Sequence, residues 1–325
     1  MSRRKEARAK GFWPIEVYEE YIEKHASGTV RRELLDPRGE PDADFNNIVI
    51  ANDSMAEWMG FKTIVSLNDR DLNFRNLVSI YRLETRQHIA AVQPWLDQIK
   101  RWGAGRALLA EIRSSRRRDV RIVPYRGSDR AAFESASNPV AATAKWRLVN
   151  PYKFGDVRAG KGTGSDSLIE FTPDAFKGSA MRRPGQAPDE VLYHELIHAS
   201  RTMRGVAKPA FVNQDYDDHE EYLAIALANI YLSEKGQRVF RGDHYSDASA
   251  TRLKGWTRDN FLDNSQDVNL PPMQLMDDFK ASQPNFYQAL ADLPPQRPKY
   301  NWVRQHKDRR KFQEFTGRRK RVEIF

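Results

Sequence analysis

The chain has no cysteine among its 325 residues, which excludes disulfide staples and thiolate metal sites. Any metal must therefore be held by imidazoles and carboxylates. Long apolar runs are missing as well. The most hydrophobic stretch, YLAIALANIYL at 222–232, contains an Asn and spans eleven residues, against the roughly 20 that a membrane-crossing helix needs. It predicts a buried helix and no membrane span. The opening residues MSRRKEARAKGFWPIEV carry neither an apolar core nor a small-residue cleavage site, so a cleavable signal peptide is not expected and export would depend on other machinery. No internal repeat or low-complexity tract stands out.

Net negative charge is confined to the middle of the chain, and there it is slight. Of the net +9, residues 1–10 carry +4 and residues 303–325 carry +6, which leaves −1 for residues 11–302. Basic ends suit nucleic acid, an acidic membrane surface or an acidic partner, but solvated, disordered ends are the simpler reading. The stretch GRRKR at 317–321 also has the form of a nuclear address.

Residues 27–45, SGTVRRELLDPRGEPDADF, are rich in Gly, Pro and Asp and read as a linker after a short N-terminal helix. NNIVI and KTIVSL follow as short strands. From Leu83 to Ser114 apolar residues recur at helical spacing, with GAG at 103–105 breaking the run into two helices. RRDVRIVPY and DSLIEFTPD read as strands separated by a glycine-rich loop, GDVRAGKGTG. Strands ahead of helices, around a small sheet, give an α+β domain. We divide the chain into an N-terminal segment 1–75 with a delivery or regulatory role, a main domain 76–302 and a basic tail 303–325.

The chemistry concentrates in EVLYHELIHASRTMRG, residues 190–205. Pro188, Asp189 and Glu190 mark a helix start and Gly205 its stop. Leu192, Leu196, Ala199 and Met203 form the core stripe, with His194 and His198 nearly opposite. Two histidines on a surface face would be unremarkable. Imidazoles at i and i+4, however, can both reach a zinc ion, at about 2 Å. Glu195 lies about 100° round the helix, placed to take a proton from a water beside the metal.

A third ligand is needed. The metzincin extension requires Gly at 201 and His at 204, and those positions hold Arg201 and Arg204. The alternative is a carboxylate from YDDHEEYLAIALANIYLSEKG, residues 216–236. If Asp218 caps that helix, Glu221 falls at the capping-box position, a purely structural role. If Asp217 caps it, Glu220 takes the box and Glu221 is free. We expect Glu221 to bind zinc and Glu220 to support a ligand histidine, with His219 and Asp215 as spare donors.

HELIHASRTMRG resembles the active-site helix of the clostridial neurotoxin light chains and of the NleD-type effectors that bacteria inject by type III secretion. HEEYLAI is similar to the paired-glutamate motif of those gluzincin-type endopeptidases, whose second glutamate binds zinc. GRALLAEI at 105–112 and IEFTPDAF at 169–176 resemble the helix and strand that precede the site. LPPQRPKY is similar to an Arg-x-x-Tyr element, which makes Arg297 and Tyr300 the oxyanion-stabilising pair on this resemblance. RGDHY offers Arg241 and Tyr245 as rivals. One departure is plain: the neurotoxin Thr-Phe-Gly turn is replaced here by AIALAN.

The resemblance implies a zincin-like metallopeptidase with an HExxH helix. It would act as a zinc endopeptidase and toxin-like effector, cytoplasmic before delivery with the help of secretion machinery or a chaperone, and then translocated into a target cell. Its substrate would be a protein bound as an extended peptide along an edge strand at 167–173. Two rivals stand beside it: a DNA-associated zinc protease held by its basic ends, and a non-enzymatic basic adaptor.

Overall fold

Five short strands carry the site. In the computed structural model they are β1 (Glu40–Pro41), β2 (Ile48–Ile50), β3 (Val120–Val123), β4 (Phe133–Ala136) and β7 (Ser167–Glu170). Their spatial order is β1-β2-β3-β7-β4. The structure describes residues 40–41, 47–51, 72–115, 117–125, 132–136, 146–148, 157–159, 162–176, 184–213, 215–244, 258–263 and 270–322. The expected N-terminal helix and the KTIVSL strand lie outside them.

Strands β2, β3 and β7 run parallel, with Ile48 facing Val120 and Val120 facing Ser167 in register, while β4 runs antiparallel to β7. Ile48, Ile50, Val120 and Ile122 are fully or almost fully buried, as expected of parallel strands covered on both faces. The edge beside β7 is β4. The expectation that residues 167–173 form the edge strand is therefore corrected: β7 has partners on both sides, and its backbone donors and acceptors belong to β3 and β4. The glycine-rich stretch at 155–164 is not all loop, because it holds β6 (Val157–Ala159), antiparallel to β5 (Trp146–Leu148).

Among the described residues there are seven α-helices: α1 (Leu72–Arg101), α2 (Gly103–Ser114), α3 (Pro188–Arg204), α4 (His219–Glu234), α5 (Pro272–Ser282), α6 (Pro284–Ala291) and α7 (Trp302–Val322). None is long and apolar enough to cross a membrane. The break at GAG is steric. A Cβ on Gly105 would sit 1.9 Å from the Ile99 carbonyl oxygen, so α2 can turn back only with glycine there. Its first amides, Gly103 N and Ala104 N, donate to the Glu234 carboxylate at 2.7 and 2.8 Å, an N-terminal cap supplied by α4.

The elements cross the expected N-terminal division. The division at 75/76 falls inside α1, and β1 and β2, which lay in the proposed separate segment, are strands of the main sheet. β1 also occupies part of the expected 27–45 linker. The basic tail is helix α7 for most of its length. Trp302 and Val303 are buried in the core, and Lys307, Arg309 and Arg310 pair with Asp292, Asp263 and Asp277. Apolar residues at its start and acidic partners as far as Arg310 fix its first turns.

Candidate metal centre

Helix α3 carries HELIH, and its boundaries follow the chain chemistry. Pro188 is its first residue, and Gly205 ends it at φ 65, the left-handed cap that glycine adopts without strain. A Cβ at Gly205 would lie 2.5 Å from the Gly162 carbonyl carbon. The helix end is thereby clamped to the loop entering β7, with Gly162 N donating to Gly205 O and Ser165 N to Thr202 O. At the other end Glu190 accepts from Gly185 N and Ala187 N, and Lys235 beyond α4 bridges Asp189 and Glu190 at 2.6 and 2.7 Å. The start of α3 is thus tied to the end of α4.

The stripe Leu192, Leu196, Ala199 and Met203 is buried as expected. The opposite face is not open to solvent, because α4 lies against α3, and His194 and Glu195 are only 5% and 8% exposed. Helix α4 is buried throughout except at Glu221. That residue brings its carboxylate to the two histidines.

The geometry of the trio is tight. His194 Nε2 is 3.1 Å from Glu221 Oε2, His198 Nε2 is 3.2 Å from Glu221 Oε1, and the two Nε2 atoms are 3.1 Å apart. Among the described residues this is the group of three or more donors that could hold a metal ion, all within 4.8 Å of one another. Four ligands about 2.05 Å from a tetrahedral zinc are roughly 3.3 Å apart, so the donor set fits the ion. Two imidazoles and one carboxylate also match zinc's preference for N and O donors and leave one position open for water or substrate.

Electrostatics agree with a site built around positive charge. Burial resists charging of His198, yet Glu221, Glu195 and Glu134 together raise its pKa to about 10. Burial dominates at His194 and lowers it to about 4. Burial raises Glu195 to about 8, with Glu221 and Glu134 adding to it and His198 and Arg241 opposing.

The cap of α4 is Asp218, whose Oδ1 accepts from Glu221 N at 3.0 Å. Only half of a capping box forms, because the Glu221 side chain turns to the histidines. Glu220 does not support a ligand histidine, which corrects that expectation. Arg201 Nε and Nη2 grip Glu220 Oε2 and Oε1 at 2.5 and 2.8 Å, and Lys208 N donates to Oε1 at 2.6 Å. The two glutamates are adjacent on the helix and so leave it about 100° apart. The arginine that rules out the metzincin pattern is the cation that receives Glu220. His219 lies 3.4 Å from Asp278, and the Asp215 carbonyl accepts from His244 N; neither joins the trio.

Arg297 and Tyr300 are not at the site. Arg297 is exposed, and Tyr300 N donates to Ser233 Oγ at 2.8 Å. Ser233 is twelve residues along α4 from Glu221, about 18 Å of helix. The Tyr300 ring packs on Phe240 and under Arg258. Of the rival pair, Arg241 is half-buried and interacts electrostatically with Glu195 and Glu221, while Tyr245 lies outside the described residues.

Two participants escaped the sequence. Glu134 on β4 accepts from Ser167 Oγ at 2.6 Å and acts electrostatically on His198 and Glu195. His244 brings Nδ1 to 2.8 Å from Glu221 Oε2. Neither stands at a motif spacing from HELIH, and only the sheet register and a returning loop bring them in.

A search of curated proteins and of solved structures gives no match. The peptidase M91 family model, described as effector protein, matches residues 80–275, more than half of the chain and all three members of the trio. The chain belongs to the peptidase M91 family of NleD-type effector proteases.

Proposed function

We propose that this protein is a zinc-dependent endopeptidase that acts as a translocated effector and cuts a specific protein of the target cell. The observation that carries it is the convergence of His194, His198 and Glu221, with Glu195 one residue from a ligand and itself buried. Bound zinc supplies Lewis acidity, polarising the scissile carbonyl and acidifying a water. Glu195 takes the proton of the attacking water and passes it to the departing amine. His194 and His198 hold the metal from one helix face, and Glu221 completes the set from α4.

Substrate alignment falls to the sheet edge. β4 lies against α3 and, among the described residues, has β7 on one side only, so an extended peptide can add along it through backbone hydrogen bonds. No observation favours the DNA-held protease, since the third donor is a carboxylate and Arg309 and Arg310 are paired with acids. Delivery through a type III route, with a chaperone, is part of this proposal and rests on the family.

The test is metal analysis of the purified full chain together with Glu195→Gln. Wild type is expected to hold one zinc per chain. Glu195→Gln should hold the same metal while cleavage, read as new protein N-termini in target-cell extract, falls by about 10²–10⁴. Cleavage undiminished in the variant removes Glu195 from the chemistry.

A further inference from the structure

We propose that His244 is a positioning residue of the metal centre, orienting the Glu221 carboxylate through its Oε2. The inference rests on the zinc reading above. Its first support is distance: His244 Nδ1 is 2.8 Å from Glu221 Oε2, and the side chain is 39% exposed. Nδ1 itself is buried and makes no other hydrogen bond. His244 Nε2 is 3.6 Å from Asp217 Oδ2, too long for a bond of its own.

Competition for Glu221 explains the arrangement. Oε2 lies between His194 Nε2 at 3.1 Å and His244 Nδ1 at 2.8 Å, and Oε1 faces His198 Nε2 at 3.2 Å. Once the Nε2 lone pairs of both ligand histidines go to a cation, neither imidazole can donate there to Glu221. The carboxylate then has His244 as its donor. Ligand carboxylates are commonly held by such a partner, which fixes their orientation.

The second support is how the fold fixes the backbone of His244. Asn229 is the polar residue inside the apolar run of α4, and it is 2% exposed. It clasps residue 241 from both sides, Nδ2 donating to Arg241 O at 2.9 Å and Oδ1 accepting from Arg241 N at 3.0 Å. The Arg241 side chain then turns forward, donating from Nε to Asp243 O at 2.7 Å and from Nη2 to His244 O. His244 N donates to Asp215 O at 2.6 Å. The segment leaves α4 and returns to the start of the same helix. Arg241, a rival for the oxyanion role, here braces the turn that presents His244.

The measurement is zinc affinity of the full chain, by competition with a chromophoric chelator, for wild type, His244→Leu and His244→Asn. Leu and Asn are close in size, and the Asn amide nitrogen takes the position of imidazole Nδ1. Leu is expected to weaken zinc binding by about 10- to 100-fold and Asn to stay within about threefold of wild type. Thermal unfolding of the metal-free proteins checks the fold, and His244→Ala replaces Leu if Leu fails to fold. Wild-type affinity in the Leu or Ala variant, or equal weakening in Asn, overturns the role of His244 while leaving the zinc site standing. A wild type that binds no zinc overturns both.

Discussion

Glu220 and Glu221 are neighbours in sequence with different environments, and the difference is a matter of partners. Glu221 reaches two imidazoles, whereas Glu220 is enclosed by Arg201, the Lys208 amide and His219. Burial would raise the Glu220 pKa, but the Arg201 guanidinium reverses this and holds the carboxyl well below the usual range. Glu221→Gln should therefore lose zinc, measured by metal analysis after dialysis. Glu220→Gln should keep zinc near one per chain and lower the unfolding midpoint. Exposed Arg297 and distant Tyr300 give a companion expectation: Arg297→Ala and Tyr300→Phe cleave at the wild-type rate. A loss of about 10²-fold or more in either would return them to the reaction.

At the scale of elements, the site is a junction of α3, α4 and the sheet edge. The buried guanidinium of Arg201 on α3 reaches Glu220 on α4, the Val206 carbonyl, and Ser282 and Gln283 at the end of α5. Removing it leaves the Glu220 carboxylate buried without its cation, which costs about 3–5 kcal/mol. Arg201→Leu should show that loss in urea unfolding, and Arg201→Leu with Glu220→Leu should recover most of it, because no uncompensated charge remains. Additive losses in the double variant would refute the coupling. The helices were legible because their signals are local: Pro188 and Gly205 bound α3, and the 216–236 pattern ends at Gly236 with φ 88. The edge was not legible. FESA has no apolar alternation to mark β4, and sheet order depends on pairings among distant segments. The HELIH pair is readable from helical spacing and Glu221 from the likeness of HEEYLAI to a paired-glutamate motif, whereas Glu134, Asn229 and His244 enter through tertiary closure.

The molecule packs its sheet beneath buried helices, and a histidine between the two contributes to its response to acid. His88 on α1 is 7% exposed, with Nε2 buried and unpartnered among the described residues. Burial lowers its pKa from 6.5 to about 4, against a hydrogen bond to the Ile122 backbone of β3 that works the other way. Because the folded value lies below the unfolded one, the unfolded chain takes up the proton first. Stability from this group is intact above pH 6.5, falls between 6.5 and about 4, and then levels off. The loss reaches about 2 kcal/mol by pH 5 and about 3 kcal/mol at the plateau. Urea unfolding of metal-free wild type and His88→Leu at pH 7.5 and 5 isolates it, since the titrating groups of the metal centre are common to both proteins. Wild type should lose about 2 kcal/mol more than the variant over that interval. Equal losses would mean that the imidazole accepts its proton inside the fold, and that α1 does not seal this part of the sheet from water.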